Sequence, residues 1–590
     1  MRPPSASQEM AMLESGDRSS SPSSTPATTR KRPRRFTWTG PAIVLGFELL
    51  ESIAFSGVAL NLVVYLGTVL HGTTAFNAAH VDTWNGTTFI VPVIGAFLAD
   101  SWWGKYNTIL ASIVFYLAGL VLLTLSAGIA PFKPASCTAA LQAGVSSTCP
   151  PATKTQFTAF FVALYLTSIG TGGVKSALLP FGAEQYDGCE GSSLERKQSF
   201  FTWFFGAINL GIFVAGTLVS WVQQNVSWAL GFGVSALCLL LAAAGFLAGT
   251  PWYSRAPLPA GSSPLRDILR VLVASFRKRN HRVSGELHEG VLRLEDEDQK
   301  LEHTKGLRWL DKAAVKKNNG GEGGEEEGAW DLCTVSEVEG VKILARMAPI
   351  WVTCVLYAAA LGQMTTTFIQ QGMAMDNRLR LSSSGEGKSI KVPVASMVSV
   401  EVAFMLLWVL LHDFAVMPLA RRFRRRRGSG TGNTVGLTQL QRMGVGRFLV
   451  VFAMAAAALV ERRRLRQFSG SGEKMGIAWQ VPQFVLIAGS DVFCGIAQLE
   501  FFYGEAPASM RSICSALSFL ALSLGFYVNS AVVMAVARIA PGWLAPDLDR
   551  GHLDYYFWLW TVIAAANLML YMLLAARYKP KQVSPTATHN

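Results

Sequence analysis

Apolar residues gather along this chain in runs long enough to cross a hydrocarbon layer, which takes about 20 residues of helix. Twelve runs meet that measure: 41–66, 80–99, 106–127, 156–181, 199–222 and 228–250, then 344–369, 394–414, 445–460, 477–504, 512–539 and 553–576. They fall into two sets of six. The pattern predicts an all-α polytopic membrane protein, with twelve transmembrane helices in two six-helix bundles. Its segments are a disordered cytosolic tail at 1–40, bundles at 41–250 and 341–578, a cytosolic linker at 251–340 and a second tail at 579–590.

The linker has a pattern of its own. "LRDILRVLVASFRKR" carries Leu265, Ile268, Leu269, Leu272, Val273 and Phe276 on one stripe of a helix. Such a helix is expected to lie at a membrane surface. "KKNNGGEGGEEEG" has no pattern able to pack and reads as disordered. A faint repeat relates the two bundles. "GAFLADSWWGKY" ends the second run and "HDFAVMPLARRF" the eighth, each with an acid followed by a base.

Composition agrees. Half the chain, 51%, is hydrophobic and only 15% is charged, with mean hydropathy +0.31. Soluble domains carry roughly 25% charged residues. Net charge is +13. Basic stretches sit where loops would face the cytosol ("RKRPRRF", "RKRNHR", "ARRFRRRR"), which sets both termini inside. "ERRRLR" after the ninth run breaks this rule, because it would fall outside. The lipid bilayer is the implied partner, and no nucleic acid is expected. Cys137 and Cys149 lie together in an outer loop where a disulfide could form. No Cys/His cluster suggests a metal, no motif suggests a cofactor, and no nucleophile–base pair suggests an enzyme.

Charges inside the runs are the candidate chemistry, because each costs about 2.5–3.5 kcal/mol or more at a bilayer centre. Glu48 and Glu51 stand three apart in "FELLESIAF", on one helix face with no base beside them. Two carboxylates in one low-dielectric site resist ionising together, so one of them is expected to hold a proton. Lys175 follows "GTGG", where a helix can break around a cavity. Glu401, Asp491 and Glu500 complete the list, with Asp100, Arg346 and Glu505 near run ends. Asp100 and Lys105 are expected to pair as a helix-end gate. Asn209 and Gln363 are candidate polar contacts for a small-molecule substrate.

Together, "GAFLADSWWGKY", "GTGGVKSALLPFGAEQYD", "FFGAINLG" and "QVPQFVLIAGSDVFCGIAQLEFFYGEAP" resemble the proton-coupled oligopeptide transporters. Within that family they are similar to the plant nitrate/peptide (NRT1/PTR) branch of the major facilitator superfamily. The resemblance implies a major facilitator fold and proton-coupled symport by alternating access. It implies that Glu48, Glu51 and Lys175 handle the proton, with Asp491 near substrate amines. Arg346 and Glu505 would gate, and Glu505 can pair with the span-four lysine. The family's E-x-x-E-[R/K] motif meets Ser52 where its base should stand, and Phe55 and Ser56 replace a pair of tyrosines. Leu361 occupies the place of a histidine used by a nitrate carrier. The implied cargo is nitrate, a small peptide, a plant hormone or another organic anion. The plasma membrane is preferred to the vacuolar membrane. With the base missing, an uncoupled facilitator or a substrate sensor is the alternative.

Overall fold

The computed structural model describes residues 38–134, 152–186, 193–254, 264–279, 304, 306–315, 330, 332–380, 389–426, 437–505 and 511–578. The proposed partners Cys137 and Cys149 lie outside the described residues, as do the "KKNNGGEGGEEEG" segment, residues 1–37 of the first tail and the second tail.

Long helices follow the expected order. Among the described residues eleven are long and apolar enough to cross a membrane. In the first half they are span one (Thr39–Thr68), span three (Lys105–Gly128), span four (Lys154–Glu184), span five (Ser199–Asn225) and span six (Trp228–Ala248). In the second they are span seven (Val335–Met373), span eight (Val394–Ala420), span nine (Gln439–Ser471), span ten (Ile477–Glu505), span eleven (Ala516–Ile539) and span twelve (Leu553–Arg577). Span two, Thr74–Leu98, is equally long but dilutes its apolar residues with Asn77, Asp82, Asn85 and Thr88, all buried. Those polar groups face protein, so the helix needs no apolar surface on that side. A small antiparallel hairpin, Arg378–Arg380 with Ser389–Lys391, joins spans seven and eight.

Local chemistry sets several boundaries. Thr153, Thr334 and Thr438 form capping boxes with Gln156, Glu337 and Gln441 at the starts of spans four, seven and nine. Each box satisfies two otherwise orphaned helix donors. Span nine is therefore much longer than 445–460 suggests: it starts at a cap and runs to Gly472, whose φ of 70° closes it. The faint repeat also has a structural counterpart. Span two ends in a widened π turn, Ala99–Trp103, and span eight carries one at His412–Val416. Asp100 and Asp413 occupy the same second position in the two turns.

Span nine also explains "ERRRLR". The run is helical, not a loop, and Arg464 is buried. Its guanidinium lies 2.8 Å from Glu461 Oε1 and also pairs with Asp549, while Arg463 covers the Trp479 ring at 3.9 Å. The basic excess is thus partly used up by protein partners, and the loop rule does not apply to it.

Because the spans alternate in direction, Thr39 and Arg577 share one end, the termini end, and the turn before Thr74 marks the far end. Hydrogen bonds between the halves gather toward the far end. Thr83 meets Ser530 at 2.9 Å and Thr87 meets Tyr527 at 3.0 Å. Ser523 donates to the Gly86 carbonyl at 2.7 Å, and Gln370 to the Thr74 carbonyl at 2.8 Å. Phe89 and Phe526 stack at 5.7 Å.

The linker does more than lie on a surface. Its helix, Pro264–Arg277, buries Val271 and Ala274 against Leu310, Ala313, Cys333 and Val338. Leu269 and Phe276 remain exposed, so only part of the expected apolar stripe packs. The ammonium of Lys342, on span seven, is buried 2.6 Å from both Asp311 and Glu339. It also donates to the Thr304 carbonyl at 2.9 Å. The described part of the linker is thus tied to the base of span seven.

Candidate functional site

Span one is an unbroken helix through the first acids, so Glu48, Glu51 and Ser52 hold fixed positions on its inward face. All three are buried. Thr171 Oγ1 donates to Glu51 Oε1 at 2.6 Å, and the Tyr116 hydroxyl donates to the same oxygen at 3.3 Å. Glu51 Oε2 has no hydrogen-bond partner. Ser52 offers Glu48 only a long 3.5 Å bond. Among the described residues neither carboxylate forms an ion pair.

Lys175 comes from span four, which stays helical through "GTGG" instead of breaking. The glycines there serve packing: a Cβ at Gly170 would strike Tyr116, and one at Gly173 would strike Ser112 of span three. The lysine ammonium sits 3.8 Å above the centre of the Phe55 ring, and Phe55 stacks on Trp84 at 5.8 Å. A cation over an aromatic face gains about 0.5–2 kcal/mol. Phe55 thus holds the cation, which remains within electrostatic reach of Glu48 without ion-pair contact.

Spans one and five meet closely at Ser52: a Cβ at Gly211 of span five would collide with Ser52 Cβ.

The second half contributes Asp491 and Glu401. Asp491 opens a π turn, Asp491–Gly495, in span ten. Glu401 of span eight is buried with Oε1 unpartnered, and it feels the charge of Asp491. Beside them the Tyr357 hydroxyl meets Ser490 Oγ at 2.8 Å. Arg447 of span nine is buried with no carboxylate partner among the described residues. It donates to Cys494 Sγ at 3.1 Å and Cys354 Sγ at 3.2 Å, and lies 4.1 Å above the Tyr571 ring.

Several expected contacts take other partners. Lys105 pairs with Glu184 at the end of span four, while Asp100 is exposed. Glu505 accepts from the Tyr578 hydroxyl at 3.0 Å, so it does not hold Lys175 here. Arg346 bonds Thr304 of the linker. Asn209 turns its amide to the Phe205 carbonyl of its own helix, 2.9 Å away. Glu500 is bridged by Arg442 at 2.7 Å. Gln363 is buried and donates to Asn529 Oδ1 at 2.5 Å, within a network that includes Asp82. It belongs to the joint between the halves, not to an open pocket. Sequence reasoning overlooked Asp82 and Arg447, although each is an ionisable residue inside an apolar run.

The match to known proteins is extensive. A family model described as "POT family" covers residues 106–543. The chain belongs to the POT family. It is therefore a multi-pass membrane transporter with a major-facilitator-type fold. Among POT relatives, NRT1/PTR FAMILY 8.3 of Arabidopsis thaliana is 40% identical, covering 93% of this chain and 92% of that protein. NRT1/PTR FAMILY 8.1 of the same plant is 38% identical, with 92% and 94% covered. The crystal structure of an auto-inhibited POT family peptide transporter superposes with TM-score 0.68 at 20% identity, covering 93% of this chain and 99% of that one. A POT family transporter in complex with 5-aminolevulinic acid superposes with TM-score 0.59 at 12% identity, covering 91% and 95%. Likenesses at such identity speak for the fold alone.

Proposed function

We propose that this POT family chain is a proton-coupled symporter for a small solute that carries both an amine and a carboxylate, such as a short peptide. The carrying observation is the separation of Lys175 from Glu48 and Glu51. The cation rests on Phe55, near enough to balance charge but not bonded to it. An acid pair left in that condition can take up and release a proton, whereas a closed ion pair would hold its charge.

The mixture of charges favours a zwitterion. Acids stand in both halves, Glu48 and Glu51 in one and Glu401 and Asp491 in the other, with Lys175 and Arg447 as the bases, so each end of such a solute finds an opposite charge. A bare anion such as nitrate would meet two bases among four acids. Solved structures of similar fold are described in complex with a thioalcohol-conjugated peptide and with 5-aminolevulinic acid, and the latter bears an amine and a carboxylate. The gathering of contacts at the far end, with the termini end in the cytosol, corresponds to a state open to the cytosol. Alternating access then requires the far-end joint to part. The plasma membrane is the proposed site of action.

Ser52 favours one second reading, an uncoupled facilitator or a sensor. Reconstitution in proteoliposomes separates the three. Under an inward acid gradient, the symporter accumulates a dipeptide above equilibrium and acidifies the lumen, and Glu51→Gln abolishes both. Uptake to equilibrium without acidification overturns coupling in favour of the facilitator. Binding without flux favours the sensor.

A further inference from the structure

The far-end joint contains an acid that the proton-handling site does not use. Asp82 stands in span two, wholly excluded from solvent. Its Oδ2 accepts from Asn529 Nδ2 of span eleven at 2.8 Å, and its Oδ1 has no partner. Asn529 Oδ1 in turn accepts from Gln363 of span seven at 2.5 Å and from the Tyr556 hydroxyl of span twelve at 3.3 Å. Thr367 closes the chain by donating to Gln363 Oε1 at 2.7 Å. Asp82 is thus the first half's only acid in a polar network otherwise supplied by the second half, as far as the described residues show.

Among the described residues no base pairs with it. The Tyr556 phenol of span twelve interacts with it by charge, and Tyr527 of span eleven and Tyr165 of span four are further phenols on the elements packed around it, neutral at ordinary pH. His80 is two residues away, with its ring against Phe76 and Phe161. Lys175 stands beyond the Phe55–Trp84 stack. A buried carboxylate with one amide donor and no cation is poorly compensated, whereas a neutral carboxyl loses far less on leaving water. When the halves part at the far end, Asp82 meets water and its charge is solvated.

We propose that Asp82 is a second proton-binding site, and that the far-end joint closes with a proton bound there. The carboxylate takes that proton from water on the far side as the joint shuts, and returns it to the same side when the joint opens. Its function is to make closure depend on far-side acidity, separately from the proton carried at Glu48 and Glu51. The inference rests on alternating access but not on which acid carries the coupled proton.

The test uses the full chain in lipid nanodiscs, with spin labels on cysteines placed at Thr68 and Lys474, exposed far-end positions in the two halves. Distance distributions are read at about pH 5.5 and about pH 7.5. For the native site, the ratio of open to closed forms rises with pH, by up to about tenfold per pH unit for one linked proton. Asp82→Asn, which keeps the shape and can still bond Asn529, stays closed at both values. Glu51→Gln keeps the native response even if it abolishes coupled uptake, so failure of the transport reading and failure of this one are told apart. A pH response that survives in Asp82→Asn, or is lost in Glu51→Gln alone, overturns the proposal. Hydrogen exchange across 523–530 in the unmutated chain gives a second reading that needs no folded variant. Protection there, corrected for intrinsic rates, increases on acidification, and pH-independent protection overturns the assignment.

Discussion

Two pairs of charged residues, each three apart on a buried helix, behave in opposite ways. In span nine, Glu461 and Arg464 bond each other, and Asp549 and Gln371 complete the cluster. In span one, Glu48 and Glu51 have hydroxyl donors and a cation held at arm's length. Spacing and burial are the same. The difference is whether a base is built in, and it separates a permanent clamp from a site able to change its charge.

The largest effect should come from opening the clamp. Arg464→Ala strands Glu461 and Asp549 beside each other without a cation, and breaking a buried pair costs about 3–5 kcal/mol. Thermal unfolding in detergent should show a clear loss, with Glu51→Gln melting close to the native protein. Equal melting of Arg464→Ala and the native chain would remove the contrast.

Next comes the site itself. Glu51→Gln should lower acid-driven solute uptake by roughly tenfold or more, a barrier change above about 1.4 kcal/mol. Radiolabelled uptake at two external pH values checks it, and unchanged pH dependence would show that the span-one pair is as inert as the span-nine one. Ser52→Arg sharpens the comparison by adding the absent base. The span-five backbone at Gly211 lies close against Ser52, so overpacking of about 1–3 kcal/mol is expected of the larger side chain, against little change for Ser52→Ala. Native-like stability of the arginine variant would mean that span five yields readily.

The smallest effect concerns the ring under Lys175. Phe55→Leu removes a contact of about 0.5–2 kcal/mol and frees the ammonium to approach Glu48. Proton-driven uptake should then need a more acidic medium, because a paired carboxylate gives up its charge less readily. A pH profile superimposable on the native one would remove Phe55 from the mechanism.

Much of the architecture was legible, because apolar runs of spanning length are a direct physical requirement of the bilayer. Span two was read too short, and its Asp82 was passed over. Asp82, Thr83 and Thr87 meet the other half, and a single chain's hydropathy cannot tell a protein-facing side chain from a loop margin. Arg447 was hidden in the same way, since span nine was cut to its most apolar portion and the arginine lay near the cut. The acids of span one were legible because the run around them is almost wholly apolar. Their partners were not, because Thr171, Tyr116 and Phe55 are ordinary residues until folding brings three helices together. Lys105 and Glu505 were legible as charges, but their contacts to Glu184 and Tyr578 were not, because those partners lie far off in the sequence and only packing brings them near.

The buried Lys342 knot has a consequence for how the chain behaves when cut. Segments on both sides of 316–329 meet at Lys342, through Asp311 and Thr304 before the cut and Glu339 after it. A single nick introduced in that interval would separate the polypeptide into two fragments on a denaturing gel. In mild detergent the fragments should still travel as one particle, and co-expressed fragments should find each other without a peptide bond between them.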